Sequence, residues 1–172
     1  MTTPSALHSA KTPKWGTPSR IIASAWALLG KIDVDPASSF DFNKFVGASQ
    51  IYTEQDNGLT KSWLGKVFVN PPGGLVVEFW EKLIQEVLSG NTGKAFWIGF
   101  SVEQLCLLSL HEFGPLDFST VILRKRLSFT SEQGQTGGSP SHGNYLTALG
   151  CDRELFDKLF SSLGKVVHGR CV

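Results

Sequence analysis

The stretch "KVFVNPPGG", Lys66 to Gly74, decides the fold prediction for this chain. "VFV" is a continuous apolar run, as in a strand that is buried on both faces of a parallel sheet. Asn70 follows this run, and two prolines and two glycines follow Asn70. The prolines fix φ at consecutive positions and remove two backbone donors, which leaves a stiff segment of carbonyl acceptors beside the Asn70 carboxamide. Such a segment suits a ligand that offers an NH₂ group.

Strands and helices alternate on both sides of this junction. "TPSRIIASAWALLG" predicts a helix with Thr17 as N-cap, Pro18 at its first position and Gly30 at its end. Apolar patterning predicts six strands in "KIDVD", "KVFVN", "KAFWIGF", "STVILRKRLSFT", "NYLTALG" and "KVVHG". It predicts three further helices in "LVVEFWEKLIQEVLSG", "SVEQLCLLSLHEFG" and "DRELFDKLFSSLG". The segment 38–63 is predicted to be loop with brief elements. The fold prediction is a single α/β domain with a mostly parallel sheet and an antiparallel edge.

Composition limits the class of protein. The chain has 172 residues, of which 41% are hydrophobic and 18% charged, as expected for one domain with a core. The net charge of +1 argues against a polybasic binder and leaves room for a local basic patch. We expect residues 1–13, which are small and polar, to be flexible.

Cysteine usage and hydropathy predict a cytoplasmic protein without a metal. The three cysteines are odd in number and form no CxxC pair, so we expect reduced thiols. No His lies at zinc-ligand spacing from another. No apolar run reaches the ~20 residues of a membrane span, and no signal-peptide core is present at the N-terminus.

Asn70 is the first candidate functional residue. Ligands of open α/β sheets bind at the carboxyl ends of the strands, so Asn70 is expected to point into that crevice. Two acceptors that bind one amine withdraw its lone pair from conjugation, which makes the nitrogen a better nucleophile. The alternative is that "NPPGG" is only a tight exit from a buried strand. The residues of the junction alone leave both interpretations open.

An ordered series of motifs extends beyond this junction. It consists of "W-x-T-P" (Trp15 to Pro18), "D-x-D-P-A" (Asp33 to Ala37), "DNGL" (Asp56 to Leu59), Trp63, "VFVNPP", "R-L-x-F" (Arg126 to Phe129) and "P-S-H-G-N" (Pro140 to Asn144). The series resembles the compact phage and prophage DNA N6-adenine methyltransferases of the Dam type. The resemblance covers about residues 14 to 168.

The resemblance implies a fold, a cofactor and a partner. The fold is a single-domain Rossmann-like S-adenosylmethionine methyltransferase fold over residues 14–172, the cofactor is S-adenosylmethionine and the partner is DNA. Asn70 and the Pro71 carbonyl are implied to hold the target amine, and Pro72 to shape the turn. The positions implied to bind the cofactor are Thr17, Pro18, Asp33, Asp35, Pro36, Ala37 and Asp56.

One position departs from the resemblance. Gly73 stands where the motif normally has an aromatic residue that stacks on the extruded base. Three interpretations are open: another aromatic (Phe79, Trp80 or Trp97) supplies the stack, the substrate is not a flipped purine, or activity is weak or lost. Trp80 and Trp97 lie in apolar patterns, so core packing is the favoured role for them.

Candidate DNA contacts lie in the second half of the chain. "RKR" is predicted to alternate on a strand, so that Arg124 and Arg126 share one face. They either protect an edge strand or contact phosphates. His142 and Asn144 are candidate DNA contacts if their loop folds over the cleft, and His142 is otherwise a solvated surface residue.

The sequence therefore supports one leading function and two alternatives. The leading function is an S-adenosylmethionine-dependent methyltransferase that acts on adenine N6 in DNA. One alternative is methylation of another planar amine or amide, such as a protein glutamine. The other is a catalytically silent relative that binds nucleic acid or a host defence protein. The oligomeric state stays open.

Overall fold

The computed structural model describes residues 15–108, 116–131 and 143–169, and these form an α/β arrangement of nine strands and five helices. The elements in chain order are β1 (Trp15–Gly16), α1 (Ser19–Leu29), β2 (Val34–Asp35), α2 (Phe40–Val46), β3 (Gln50–Ile51), β4 (Gly65–Val69), α3 (Val76–Leu88), β5 (Thr92–Gly99), α4 (Val102–Leu108), β6 (Phe118–Leu123), β7 (Thr130–Ser131), β8 (Tyr145–Leu149), α5 (Arg153–Phe160) and β9 (Gly164–Gly169).

Seven strands form the main sheet in the order β3-β2-β4-β5-β8-β6-β9. β2 is parallel to both β3 and β4, and β4 is parallel to β5. β8 is antiparallel to β5 and β6, and β9 is antiparallel to β6. The predicted parallel core with an antiparallel edge is confirmed, and the arrangement is compatible with a Rossmann-like fold.

The strand order defines two edges of the sheet. β2, β4, β5 and β6 run in one direction, and we call the edge where they end the carboxyl edge and the opposite one the amino edge. From β2 the chain crosses outward to β3, and from β4 it crosses in the other direction to β5. The order thus reverses between β2 and β4, which is where open α/β sheets bind ligands.

The alternation of side chains along the central strands divides the core into two layers. Phe68 and Phe96 point to the layer that contains α1 and α5, where their rings lie 6.0 Å apart. Val67 and Trp97 point to the layer that contains α3. The sheet is therefore covered on both faces, as the continuous apolar runs predict.

Several predicted boundaries differ from the structure. α1 begins at Ser19, so Pro18 and not Thr17 occupies the N-cap, while Gly30 ends the helix with φ of 77° as predicted. Segment 38–63 contains the seven-residue helix α2, whose N-cap Ser39 accepts a hydrogen bond from the Phe42 N–H. No helix of the described ranges has the length and apolarity needed to cross a membrane. The segment 1–13 lies outside the described residues.

Candidate active site at the carboxyl edge

Asn70 lies at the switch point and carries an unused acceptor. It directly follows β4, next to the carboxyl end of β2. Among the described residues its Oδ1 atom is buried and accepts no hydrogen bond. A buried polar atom without a partner costs about 1–3 kcal/mol, so such atoms are rare unless a ligand uses them. The structure thus presents one free acceptor at the position where a ligand is expected.

The two prolines give this acceptor a rigid setting. Pro71 is buried and Pro72 is exposed. The Pro72 carbonyl accepts the Leu75 N–H at 2.9 Å, which closes the turn that leads into α3. Because neither proline has an N–H, the segment offers only acceptors between Asn70 and the turn.

Asp35 is the second polar side chain at the switch point. It is the last residue of β2 and is only 3% exposed. Burial raises the pKa of its carboxyl to about 7, although a hydrogen bond from the Ala37 N–H to Oδ1 at 3.2 Å acts in the opposite direction. A buried carboxyl in this state favours a ligand that brings hydrogen-bond donors or positive charge. The prediction that Asp35 and Asn70 lie at one sheet edge is confirmed.

Two of the sequence motifs contact each other beside Asp35. A Cβ atom at Gly58 would lie 2.0 Å from the Pro36 carbonyl oxygen, so only glycine permits this approach. The indole N–H of Trp63, a fully buried residue, donates to the Gly58 carbonyl at 2.9 Å. The "DPA" loop (Asp35 to Ala37) and the "DNGL" loop are thereby packed together at the carboxyl edge.

Asp56 is exposed in the loop that follows β3. Its Oδ2 atom accepts both the Thr53 N–H at 2.8 Å and the Thr53 hydroxyl at 2.7 Å. The hydroxyl hydrogen bond is the main cause that lowers the pKa of Asp56 below its usual value. The result is a fixed, ionised carboxylate on the same edge as Asp35.

Asp33 does not belong to this group, and the position implied for it is corrected. It precedes β2, and its Oδ2 atom accepts the Lys66 N–H at the start of β4, 2.9 Å away. Lys31 forms an ion pair with Oδ1 at 2.7 Å. Burial alone would raise the pKa of Asp33, but these two partners hold it below its usual value. Asp33 therefore stabilises the amino ends of two strands and has no role at the carboxyl edge.

Thr17 and Pro18 precede α1, and this end of the helix is directed toward the carboxyl edge. At the other end, the Leu29 carbonyl accepts a hydrogen bond from the Lys66 ammonium at the start of β4. The Pro18 carbonyl accepts the Ile21 N–H at 2.9 Å, which begins the helix. Both residues lie at the start of α1 as predicted, and the N-cap position moves from Thr17 to Pro18.

"RKR" is not part of a strand, which corrects the prediction of alternating faces. β6 ends at Leu123, and Arg124, Lys125 and Arg126 form an exposed turn, which we call the basic turn. It follows the carboxyl end of β6, so it lies on the same edge as Asn70. β4 and β6 are separated by three strand spacings, or roughly 14 Å.

The aromatic residues named as possible substitutes at position 73 are core residues. Phe79 is 4% exposed, and Trp80 and Trp97 are fully buried. The two indoles meet edge to face with ring centroids 5.0 Å apart. A Cβ atom at Gly73 would contact none of the described residues within 4 Å, so these residues leave the space beside the "NPP" turn open.

Asn144 is a structural residue, which corrects its interpretation as a DNA contact. It is 1% exposed, and its carboxamide bonds to the Leu127 N–H and the Gly99 carbonyl. His142 lies outside the described residues. No feature of the sequence distinguishes a buried Asn from an exposed one in a Gly-rich loop.

Comparisons with known proteins assign no family. The chain matches no protein-family model, and no curated protein matches it. In the described ranges, no group of three or more His, Cys, Asp or Glu side chains is arranged to hold a metal ion. The class that fold and site define is an α/β protein with a buried, unpartnered amide oxygen, among the described residues, at its switch point.

Proposed function

We propose that the protein is an S-adenosylmethionine-dependent methyltransferase that acts on adenine N6 in DNA. The observation that supports this most is the buried, unpartnered Oδ1 atom of Asn70 beside two prolines. An exocyclic NH₂ group is a donor that fits one such acceptor and the Pro71 carbonyl together. A tight strand exit, the alternative role for this turn, does not account for the unpartnered oxygen.

The reaction follows from what these acceptors do to the amine. Asn70 Oδ1 and the Pro71 carbonyl accept its two N–H bonds and hold its lone pair out of conjugation with the ring. The acceptors are fixed before reaction, so no reorganisation is needed as positive charge develops on the nitrogen. The cofactor, when bound, supplies a methyl group on a sulfonium. The alkylated nitrogen then loses a proton without a strong base, so no residue is assigned that role.

The residues beside Asn70 suit a cofactor with hydroxyl groups and a positive charge. Asp35 is a buried carboxyl that gains from donors or positive charge, and Asp56 is an ionised carboxylate on the same edge. The packed "DPA" and "DNGL" loops and the start of α1, with Thr17 and Pro18, complete the candidate cofactor region. This fit supports S-adenosylmethionine and is part of the proposal.

The basic turn supports nucleic acid as the partner. It places three exposed cations after the end of β6, a strand that lies roughly 14 Å from β4 in the sheet, although the net charge of the whole chain is only +1. Cations on the edge that holds the site favour phosphate contacts next to the reacting base. A cytoplasmic location belongs to the same proposal.

The open space at Gly73 favours a second candidate function. Without an aromatic at this position the site lacks the stacking contact on an extruded base. This favours a catalytically silent protein that binds nucleic acid or a host defence protein. Methylation of another planar amine or amide is the alternative within the same chemistry.

Methyl transfer from labelled cofactor separates these candidates. The protein is incubated with unmethylated DNA, and the DNA is digested to nucleosides. We expect label in N6-methyl-2′-deoxyadenosine; label in protein instead indicates the other amine or amide substrate. No label in either, together with DNA binding, indicates the silent protein.

Cofactor binding is tested independently in a thermal melt with the demethylated cofactor. At a hundredfold excess over the dissociation constant we expect about 2.7 kcal/mol of stabilisation. No shift at millimolar cofactor, with the protein folded, contradicts the proposed function.

A further inference from the structure

Asn144 connects two parts of the carboxyl edge through one buried carboxamide. Its Nδ2 atom donates to the Gly99 carbonyl at 3.1 Å, and Gly99 is the last residue of β5, next to β4. Its Oδ1 atom accepts the Leu127 N–H at 2.9 Å. Its backbone carbonyl accepts the Leu123 N–H at 3.1 Å. One residue thus binds both sides of the basic turn, which lies between Leu123 and Leu127.

The chain after the basic turn is held firmly against the core. Leu127 is 1% and Phe129 5% exposed, and both pack in the layer that contains α1. Thr130 and Ser131 then pair with Gly16 and Trp15, the two residues before Thr17. On the other side, the Arg124 N–H donates to the Leu163 carbonyl at 3.0 Å. The backbone of the turn is therefore fixed while its three side chains are exposed.

We propose that Asn144 is a positioning residue that sets where the nucleic-acid backbone lies relative to Asn70. It acts through the basic turn, whose cations it holds at a fixed place on the carboxyl edge. This inference rests on the proposed function. The side chain of Asn144 is only 1% exposed, so it does not contact substrate, and we expect its effect to reach the nucleic acid through Arg124, Lys125 and Arg126.

The geometry sets the range over which this positioning acts. The end of β6 lies three strand spacings, or roughly 14 Å, from the end of β4. The basic turn is thus expected to contact phosphates within a few nucleotides of the target adenine. Substrates truncated closer to the adenine on that side lose the contribution of Arg126.

A double-mutant cycle tests this role. Arg126→Ala, Asn144→Ala and the double variant are compared for KM for DNA, kcat and the dissociation constant of a fluorescent duplex. We expect each single variant to raise KM for DNA on the order of fivefold to tenfold, with kcat little changed. If Asn144 acts through the turn, the double variant binds DNA about as weakly as the weaker single variant. Effects that multiply overturn the proposal.

Asn43 gives a matched control. Its carboxamide also joins two backbone groups, accepting the Ala48 N–H at 2.8 Å and donating to the Ala48 carbonyl at 3.0 Å. Asn43→Ala is expected to lower the melting temperature and leave KM for DNA unchanged. An equal rise in KM in this variant means that any loss of stability weakens DNA binding, which overturns the inference.

A substitute variant and a binding-only measurement cover the cases in which Asn144→Ala does not fold or the parent is inactive. If Asn144→Ala does not fold, Asn144→Ser takes its place, because the serine hydroxyl is too short to join Leu127 and Gly99. If the parent transfers no methyl group, the proposed function fails, and the cycle is run on the duplex dissociation constant alone. In that case non-additivity still supports the positioning role, and multiplied effects still overturn it.

Discussion

The buried polar groups at the two edges of the sheet differ in their hydrogen bonding. At the amino edge, Glu86 is 4% exposed and accepts hydrogen bonds from the Trp63 N–H, the Asn91 amide and the Lys82 ammonium. At the carboxyl edge, Asn70 has a buried oxygen that accepts no hydrogen bond from the described residues. The Glu86 carboxylate is thus bonded within the fold, whereas the Asn70 oxygen gains a partner from the ligand only under the proposed function.

The two buried carboxyls show the same contrast in their ionisation. Burial alone would raise the pKa of Glu86, but its three donors bring it below the usual value. Burial raises the pKa of Asp35 to about 7. The negative charge of Glu86 therefore stabilises the fold, while that of Asp35 destabilises it.

The largest expected effect is that Asp35→Asn removes a pH dependence from the unfolding free energy of the protein. A raised carboxyl pKa contributes stability that is fully present near pH 4 and is lost as the pH rises through about 7. Between pH 4 and pH 8 we expect the unfolding free energy of the parent to fall by about 4 kcal/mol relative to Asp35→Asn, because burial shifts this pKa by about three units. Denaturant unfolding of both proteins without cofactor measures it. Parallel pH profiles contradict a buried, ionisable Asp35.

The next largest expected effect is on the rate of methyl transfer. Asn70→Ala is expected to lower methyl transfer by about 10²–10³, because one preorganised contact to the reacting amine is lost, while cofactor affinity stays close to that of the parent. Single-turnover transfer measures the rate, and a thermal melt measures the cofactor.

Asn91→Ala is the matched control for Asn70→Ala at the amino edge. The Asn91 amide donates to Glu86 at 2.8 Å, so its removal should lower stability and leave the rate per folded molecule unchanged. If Asn70→Ala transfers methyl groups as fast as the parent, "NPPGG" is only a turn and the contrast between the edges has no functional meaning.

Glu86→Ala should cost about 1–3 kcal/mol of unfolding free energy, because the Trp63 N–H and the Asn91 amide lose a buried acceptor. Its pKa is lowered, so the stabilisation by Glu86 is present above about pH 4.5 and is lost as the pH falls through the folded value. Denaturant unfolding at pH 7 and pH 3 measures both. A difference from the parent that is as large at pH 3 as at pH 7 would show that packing, and not the charge, is what was removed.

The smallest expected effect is a gain. Gly73→Tyr places a ring in open space beside the "NPP" turn and is expected to tighten DNA binding by on the order of 1 kcal/mol, the lower end of base-stacking values. Gly73→Ala has room for its methyl group but no ring, so it serves as control. Titration of a fluorescent duplex compares them. Weaker binding by the Tyr variant alone would mean that the target occupies this space without stacking.

Long apolar patterns predict the central strands and helices. The short elements are not predicted, because they depend on contacts with distant parts of the chain. β4, β5 and α3 each bury several consecutive or periodic side chains, so their own sequence specifies them. β1 and β7 have two residues each and exist only because they pair with one another. The exit of Arg124 from β6 is likewise set by its bond to Leu163, which lies far along the chain.

The candidate site residues also fall into two groups, those whose position the sequence predicts and those whose position it does not. Asp35 and Asn70 were placed correctly because each ends a strand, and parallel strands end at one edge. Asp33 and Asn144 were misplaced because their hydrogen-bond partners, Lys66 and Leu127, cannot be inferred from local spacing. The sequence predicts where a residue lies along a strand, but its hydrogen-bond partner can be identified only from the folded structure.

The contact between Gly58 and Pro36 determines where this site tolerates redesign. Any side chain at position 58 would meet a backbone carbonyl at 2.0 Å and force two loops apart, so a mutant library that varies this position consists mainly of damaged proteins. At positions 73 and 74 a Cβ atom would have no described residue within 4 Å, and both positions lie beside the proposed target amine. Diversity directed to 73 and 74 can alter substrate range while the loops around Asp35 keep their shape.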